Sequence, residues 1–228
     1  DVLQSNTLAV VENGYSRPTL DTSTGNSYLK AGLIRHPIIE HIMQTSAYVP
    51  NDIALGANEE KGVGAGDGIL LFGVNAVGKS SLMKSLGLAV IMAQAGMYVA
   101  ASAFQYRPFK YLFTRILGND NLYAGLSSFE VEMKEFKVIL KYANADSLLL
   151  CDEVCRGTVM EDGTALVASA LEILSRRQVK FLSATHLHNL TSMDCIQKLE
   201  NVTFYHLLVE QDKTNPAKLI YTRKLQRG

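Results

Sequence analysis

The stretch GVNAVGKSS, residues 73–81, constrains this chain more than any other. It fits the pattern G-x-x-x-x-G-K-[ST]. A compact apolar run, residues 69–72, precedes it, bounded by Gly68 and Gly73. Such a run is short enough for a buried parallel strand. After Lys79 the apolar positions Leu82, Leu86, Ala89, Val90 and Ala93 recur at helical spacing. A strand, a glycine loop and a helix in that order are the context that gives the pattern meaning. Glycines let backbone N–H groups turn inward toward phosphate oxygens. The helix N-terminus adds a field that favours an anion. Lys79 supplies a point charge for the β- and γ-phosphates, and Ser80 a hydroxyl for Mg²⁺. The plain alternative is a glycine-rich turn that happens to precede a lysine.

The rest of the chain supports an α/β reading. A helix is expected over residues 128–142, where Phe129, Met133, Phe136 and Leu140 form a stripe and Glu130, Lys134, Lys137 and Lys141 fall elsewhere. SLLLCD reads as a second buried strand, TALVASALEIL as a helix and VKFLSATH as a third strand. NVTFYHLLVE and KLIYTRKL, joined by the polar QDKTNPA, read as a terminal hairpin. Alternating strands and helices favour a mostly parallel sheet flanked by helices, with antiparallel strands at the edges. Residues 1–30 are polar and turn-rich and are expected to form a linker from a preceding domain, with little helix. Residues 31–228 are then the domain proper, strand-like from Leu33, with a flexible loop in ANEEKGVGAGDG.

Composition limits the partners. Lys+Arg and Asp+Glu number 22 each, so the formal charge is zero. A domain that bound nucleic acid alone would more often be basic, so any DNA contact is expected mainly outside this segment. Hydrophobic residues make up 47% and charged ones 19%, which suits a packed core. Three cysteines make no disulfide framework, and an intracellular location is expected. No signal peptide and no membrane-spanning run is visible.

Asp152 and Glu153 end the strand SLLLCD, 73 positions after Lys79. Carboxyl ends of parallel strands gather at one edge, where ligands bind. Asp152 is therefore expected to hold Mg²⁺, directly or through water, and Glu153 to orient or deprotonate an attacking water. A solvated acidic turn is the alternative. Cys151 and Cys155 lack a second pair at zinc spacing, and Cys151 is expected in the core. His186 ends the third strand at the same edge, and His188 reads as a loop residue. Ser127 and Glu130 form the S-x-x-E of a capping box.

Taken together, RHPIIE, GVNAVGKSS, YLFTRILGND, LSSFEVEM, LLLCDEVCRGTVMEDG and SATH resemble the C-terminal ATPase domain of the MutS family, over most of the chain. The resemblance implies a P-loop NTPase fold of the ABC-ATPase type. It implies ATP and ADP as ligands, Mg²⁺ as cofactor, and a homodimer or heterodimer formed through this domain in a longer protein. Gly73, Val74, Asn75, Ala76, Val77, Gly78, Lys79, Ser80 and Ser81 match the phosphate loop, with Asn75 close to the γ-phosphate. Asp152 and Ser80 match the Mg²⁺ site, Glu153 the catalytic glutamate and His186 the switch histidine. Ser127 resembles the serine that reaches the nucleotide of the opposite subunit, and Tyr48 the aromatic that stacks on adenine.

Val74, Ala76 and Val77 stand where the family loop usually has Pro, Met and Gly, and Cys155 where it has Gly. Val77 is the awkward one, because a β-branched residue restricts the backbone. The implied function is ATP hydrolysis coupled to conformational change in a DNA-bound mismatch-repair clamp. A clamp on recombination or junction DNA without mismatch reading is the alternative. A coiled-coil ABC-type ATPase fits less well, given the short spacing between the two motifs.

Overall fold

A computed structural model describes residues 1–43, 47–57, 66–74, 77–116, 128–155, 159–211 and 219–228. The core strands and helices follow the expected order. β4 (Gly68–Phe72), α3 (Lys79–Gln94), α4 (Ser128–Tyr142), β7 (Ser147–Asp152), α5 (Met160–Arg176) and β8 (Lys180–Ala184) alternate along the chain. β9 (Val202–Gln211) and β10 (Leu219–Arg227) form the terminal hairpin. With β6 (Tyr111–Arg115) they make a six-stranded sheet in the order β10-β9-β4-β8-β7-β6. Only the β9–β10 pair is antiparallel in it.

A second sheet was not legible in the sequence. β1 (Thr19–Leu20), β5 (Ala103–Arg107), β2 (Tyr28–Ile34) and β3 (Asn51–Leu55) pair in the order β1-β5-β2-β3. β5 was hidden because it directly follows the long apolar stretch of α3 and its exit. β2 begins at Tyr28, ahead of the expected Leu33. Leu33 itself sits in an irregular stretch of that strand at φ 48°, its N–H donating to Asp52 Oδ1 at 2.8 Å.

Residues 1–30 hold more helix than expected. Val2–Asn13 is a helix, α1, closed by Gly14 at φ 61° with its N–H on Val10 O. Its apolar residues Val2, Leu3, Leu8 and Val11 are all exposed, so no buried stripe advertised it. Its buried residue is Asn6, whose Oδ1 accepts the Tyr98 N–H at 3.0 Å. Two short helices, α2 (Ile39–Ile42) and α6 (Asp194–Gln197), and a 3-10 turn at His188–Ser192 complete the described elements. Among the described residues, no helix is long and apolar enough to cross a membrane.

The six-stranded sheet buries both faces, and its side chains divide by the two-residue period of a strand. Ile69, Leu71, Leu148, Leu150 and Leu182 point to one side, where α3 packs through Leu82, Met83, Leu86 and Val90 together with Leu29, Ile53 and Leu55 of the smaller sheet. Leu70, Phe72, Leu149, Cys151 and Phe181 point to the other, against α4 and α5. Each such aliphatic side chain contributes about 1.5–3 kcal/mol when fully buried. Gly87 lets α3 approach closely, since a Cβ there would lie 2.9 Å from Leu150 Cδ1. This layering fixes the start of α3 beside the carboxyl ends of β4, β7 and β8.

The buried line of α4 is rotated from the expected stripe. Glu132, Phe136, Ile139 and Ala143 are the buried positions, while Phe129, Met133 and Leu140 pack only in part. A carboxylate thus occupies the inward face of this helix.

Candidate functional site

Gly73 and Val74 leave β4, and Val77 and Gly78 lead into α3. Asn75 and Ala76 lie outside the described residues, as does Ser127. Gly78 caps the helix at φ 113°, a conformation that side chains rarely adopt. The Val77 side chain is fully buried in the core that faces α3, where it fills space.

Lys79 folds back across the loop. Its Nζ donates to Gly73 O at 2.5 Å and Val74 O at 3.1 Å. The same Nζ lies 3.8 Å from Glu153 Oε1, with both side chains almost fully buried. One residue on, Ser80 Oγ donates to Asp152 Oδ2. The sequence-expected metal pair is thus brought into direct contact, from the first turn of α3 and the end of β7. A hydroxyl and a carboxylate are hard oxygen donors, the type that suits Mg²⁺. Among the described residues, no group of three or more His, Cys, Asp or Glu could hold a metal. Two protein oxygens match an ion that keeps several waters and takes the rest of its ligands from phosphates.

The strand ends are tied together by main-chain bonds. Thr185 N–H donates to Leu71 O at 3.0 Å, and Glu153 N–H to Ala184 O at 2.9 Å. Glu153 has φ 52° and Cys155 φ 69°, both in the left-handed region. Each costs about 1–2 kcal/mol for a residue with a side chain. The family glycine at position 155 has this physical reason: only glycine takes that backbone freely. Cys155 takes it with help, its N–H donating to Glu132 Oε1 at 3.1 Å. The two thiols are far from reactive. Burial, with a smaller contribution from the nearby Glu132 charge, pushes Cys151 up to about 12 and Cys155 up to about 11. Both are free thiols and both are buried.

The remaining candidates are spread around this centre. Tyr48 hydroxyl pairs with Ser85 Oγ at 3.0 Å, and Ser85 Oγ donates to Ser81 O at 2.8 Å. Burial raises the phenol pKa. Tyr48, Val77, Gly78 and Ser81 line a pocket of about 120 Å³ beside the loop, which Ile39 and Arg223 also border. His186 lies beyond the end of β8 and is exposed, and among the described residues nothing brings its ring to the loop. His188 stacks on Phe72, with ring centroids 5.9 Å apart. Two residues escaped the sequence reading. Arg223 sits at φ 56° where the β9–β10 register shifts, which no local pattern announces. Glu132 lay next to the expected stripe, so its place on the inward face could have been suspected from a one-residue rotation of the helix.

The fold and site define a mixed α/β domain whose glycine loop meets paired carboxylates at one sheet edge. The MutS domain V family matches residues 69–228. The whole chain aligns at 40% identity with a mitochondrial DNA mismatch repair protein mutS homolog of Sarcophyton glaucum, covering 22% of that protein. It aligns at 39% identity with a putative DNA mismatch repair protein mutS homolog of Acanthamoeba polyphaga mimivirus, covering 23% of it. With the DNA mismatch repair protein MutS of Clostridium kluyveri the identity is 36%, again over the whole chain and 25% of the relative. The chain belongs to the MutS family, and it spans about a quarter of the length of the curated relatives it matches.

Proposed function

We propose that this domain is a P-loop ATPase of the ABC type that binds and hydrolyses Mg·ATP and so drives conformational change in a DNA-bound mismatch-repair clamp. The observation that carries the reading is the meeting of Lys79 with Glu153, and of Ser80 with Asp152, at the end of a glycine loop. Backbone N–H groups from Gly73 to Ser81 and the N-terminus of α3 bind the phosphates. Lys79 exchanges its two loop carbonyls for β- and γ-phosphate oxygens, where its charge offsets the charge that develops as the bond breaks. Ser80 and Asp152 would hold Mg²⁺, which supplies charge neutralisation at the phosphates. Glu153 orients water and takes its proton during in-line attack on the γ-phosphate, leaving ADP and inorganic phosphate. Glu153 is buried, so few positions remain from which a water can meet its carboxylate.

Tyr48 and its pocket suit the flat face of adenine, and by the family resemblance Asn75 and His186 would serve the γ-phosphate end, His186 once its exposed ring moves toward the loop. By the family resemblance, Ser127 is the residue through which a second subunit would complete the site. DNA would be held mainly by other parts of a longer protein, in keeping with the balanced charge of this domain. The relatives described as mismatch repair proteins favour that process over a clamp on junction DNA.

Titration with a fluorescent ATP analogue, together with single-turnover hydrolysis, tests the reading. Lys79→Ala should abolish measurable ATP binding. Glu153→Gln should keep ATP bound and slow its hydrolysis by at least about 100-fold. Normal turnover in the Glu153 variant would refute the assigned base.

A further inference from the structure

The turn that carries Glu153 is gripped from two sides. Ala184 at the end of β8 accepts the Glu153 N–H, and Glu132 of α4 accepts the Cys155 N–H. Glu132 is only 6% exposed. It shares its helix face with Phe136, Ile139 and Ala143, all packed in the core. A charge in that stripe is costly unless it is hydrogen-bonded, so packing alone does not account for it. Its acceptor oxygen meets the amide of a residue held in the left-handed region, where a non-glycine residue persists only when its surroundings hold it. A charge-assisted bond to a backbone N–H is the strong kind.

We propose that Glu132 is a positioning residue for Glu153: its carboxylate locks the left-handed turn 153–155 and thereby sets the Glu153 carboxylate against Lys79. The assignment rests on the ATPase reading above and deepens it. Cysteine at position 155 makes the grip more useful, because the left-handed turn is strained for a residue with a side chain.

The test uses the whole protein that carries this chain and reads two quantities. Hydrogen exchange at the residue 155 amide reports the bond without nucleotide. ATP affinity and single-turnover hydrolysis report its consequence. Glu132→Ala should lose amide protection and slow hydrolysis by about 10- to 100-fold, the scale of a small misplacement, with ATP affinity nearly unchanged. Glu132→Gln keeps an acceptor oxygen and should keep both protection and most of the rate. Should the alanine variant fail to fold, Glu132→Leu keeps the stripe apolar and packed and should give the same split. Unchanged exchange or unchanged hydrolysis in the acceptor-less variants overturns the proposal. So does a glutamine variant as impaired as alanine, or an equal loss of affinity and rate. If exchange responds as expected but the unmodified protein hydrolyses no ATP, the ATPase reading falls and the positioning role with it, while the hydrogen bond stands.

Discussion

Two buried lysines mark opposite ends of the six-stranded sheet, and their surroundings differ. At the amino end, Lys180 pairs with Asp67 at 3.0 Å and donates to Gln178 O at 2.7 Å. Asp67 also accepts from Asn201 Nδ2 at 2.8 Å. At the carboxyl end, Lys79 stands 3.8 Å from Glu153, beyond hydrogen-bond reach, and spends its donors on two loop carbonyls. Left-handed backbone occurs at both ends, at Gln178 (φ 53°) and at Glu153 (φ 52°), so it does not separate them. The spacing of the charges does: the pair is closed at 3.0 Å at one end and stands 3.8 Å apart at the other.

Several substitutions break or sharpen the contrast. The largest effect is expected for Lys79→Ala, with ATP binding lost in a nucleotide titration. Lys180→Ala should instead lower stability by about 2–4 kcal/mol in chemical denaturation, because a buried side chain is deleted and partly buried Asp67 loses its cation, keeping only the Asn201 donor. Adding Asp67→Asn to Lys180→Met keeps an acceptor for Asn201 and removes both charges, and should recover most of that loss. Val77→Gly, a change toward the residue the family resemblance implies, should cost about 2–3 kcal/mol, since a fully buried side chain is deleted. Cys155→Gly should be the mildest. Relief of the left-handed backbone is offset by the lost thiol packing and by glycine's entropy, leaving a change within about 1 kcal/mol.

Much of this was legible in the sequence because it rests on periodicity. The strands β4, β7 and β8, the helices α3, α4 and α5, and the terminal hairpin all carry runs or stripes that report burial directly. Their order sends Lys79, Ser80, Asp152 and Glu153 to one sheet edge before any coordinate is known. The smaller sheet was not legible, since β1 is short and β5 follows an apolar helix without a break in composition. Helix α1 was hidden for the opposite reason, as its apolar residues face outward. The positive φ angles at Glu153 and Cys155 have no sequence signature in themselves. Glycine at position 155 would have signalled one of them, and this chain has cysteine there. Glu132 was legible as a charge but not as a buried one, because one step of rotation decides which face of a helix is inside.

The difference between the two lysines is most directly tested by one measurement: the rise in melting temperature on adding Mg·ATP, made side by side on Lys79→Ala and Lys180→Ala. Ligand at a hundredfold excess over its dissociation constant stabilises by about 2.7 kcal/mol. The account predicts that Lys180→Ala melts lower than the unmodified protein yet keeps the full ATP-induced rise. Lys79→Ala should show no rise at all. A full rise in Lys79→Ala, or its loss in a folded Lys180→Ala, would contradict the account.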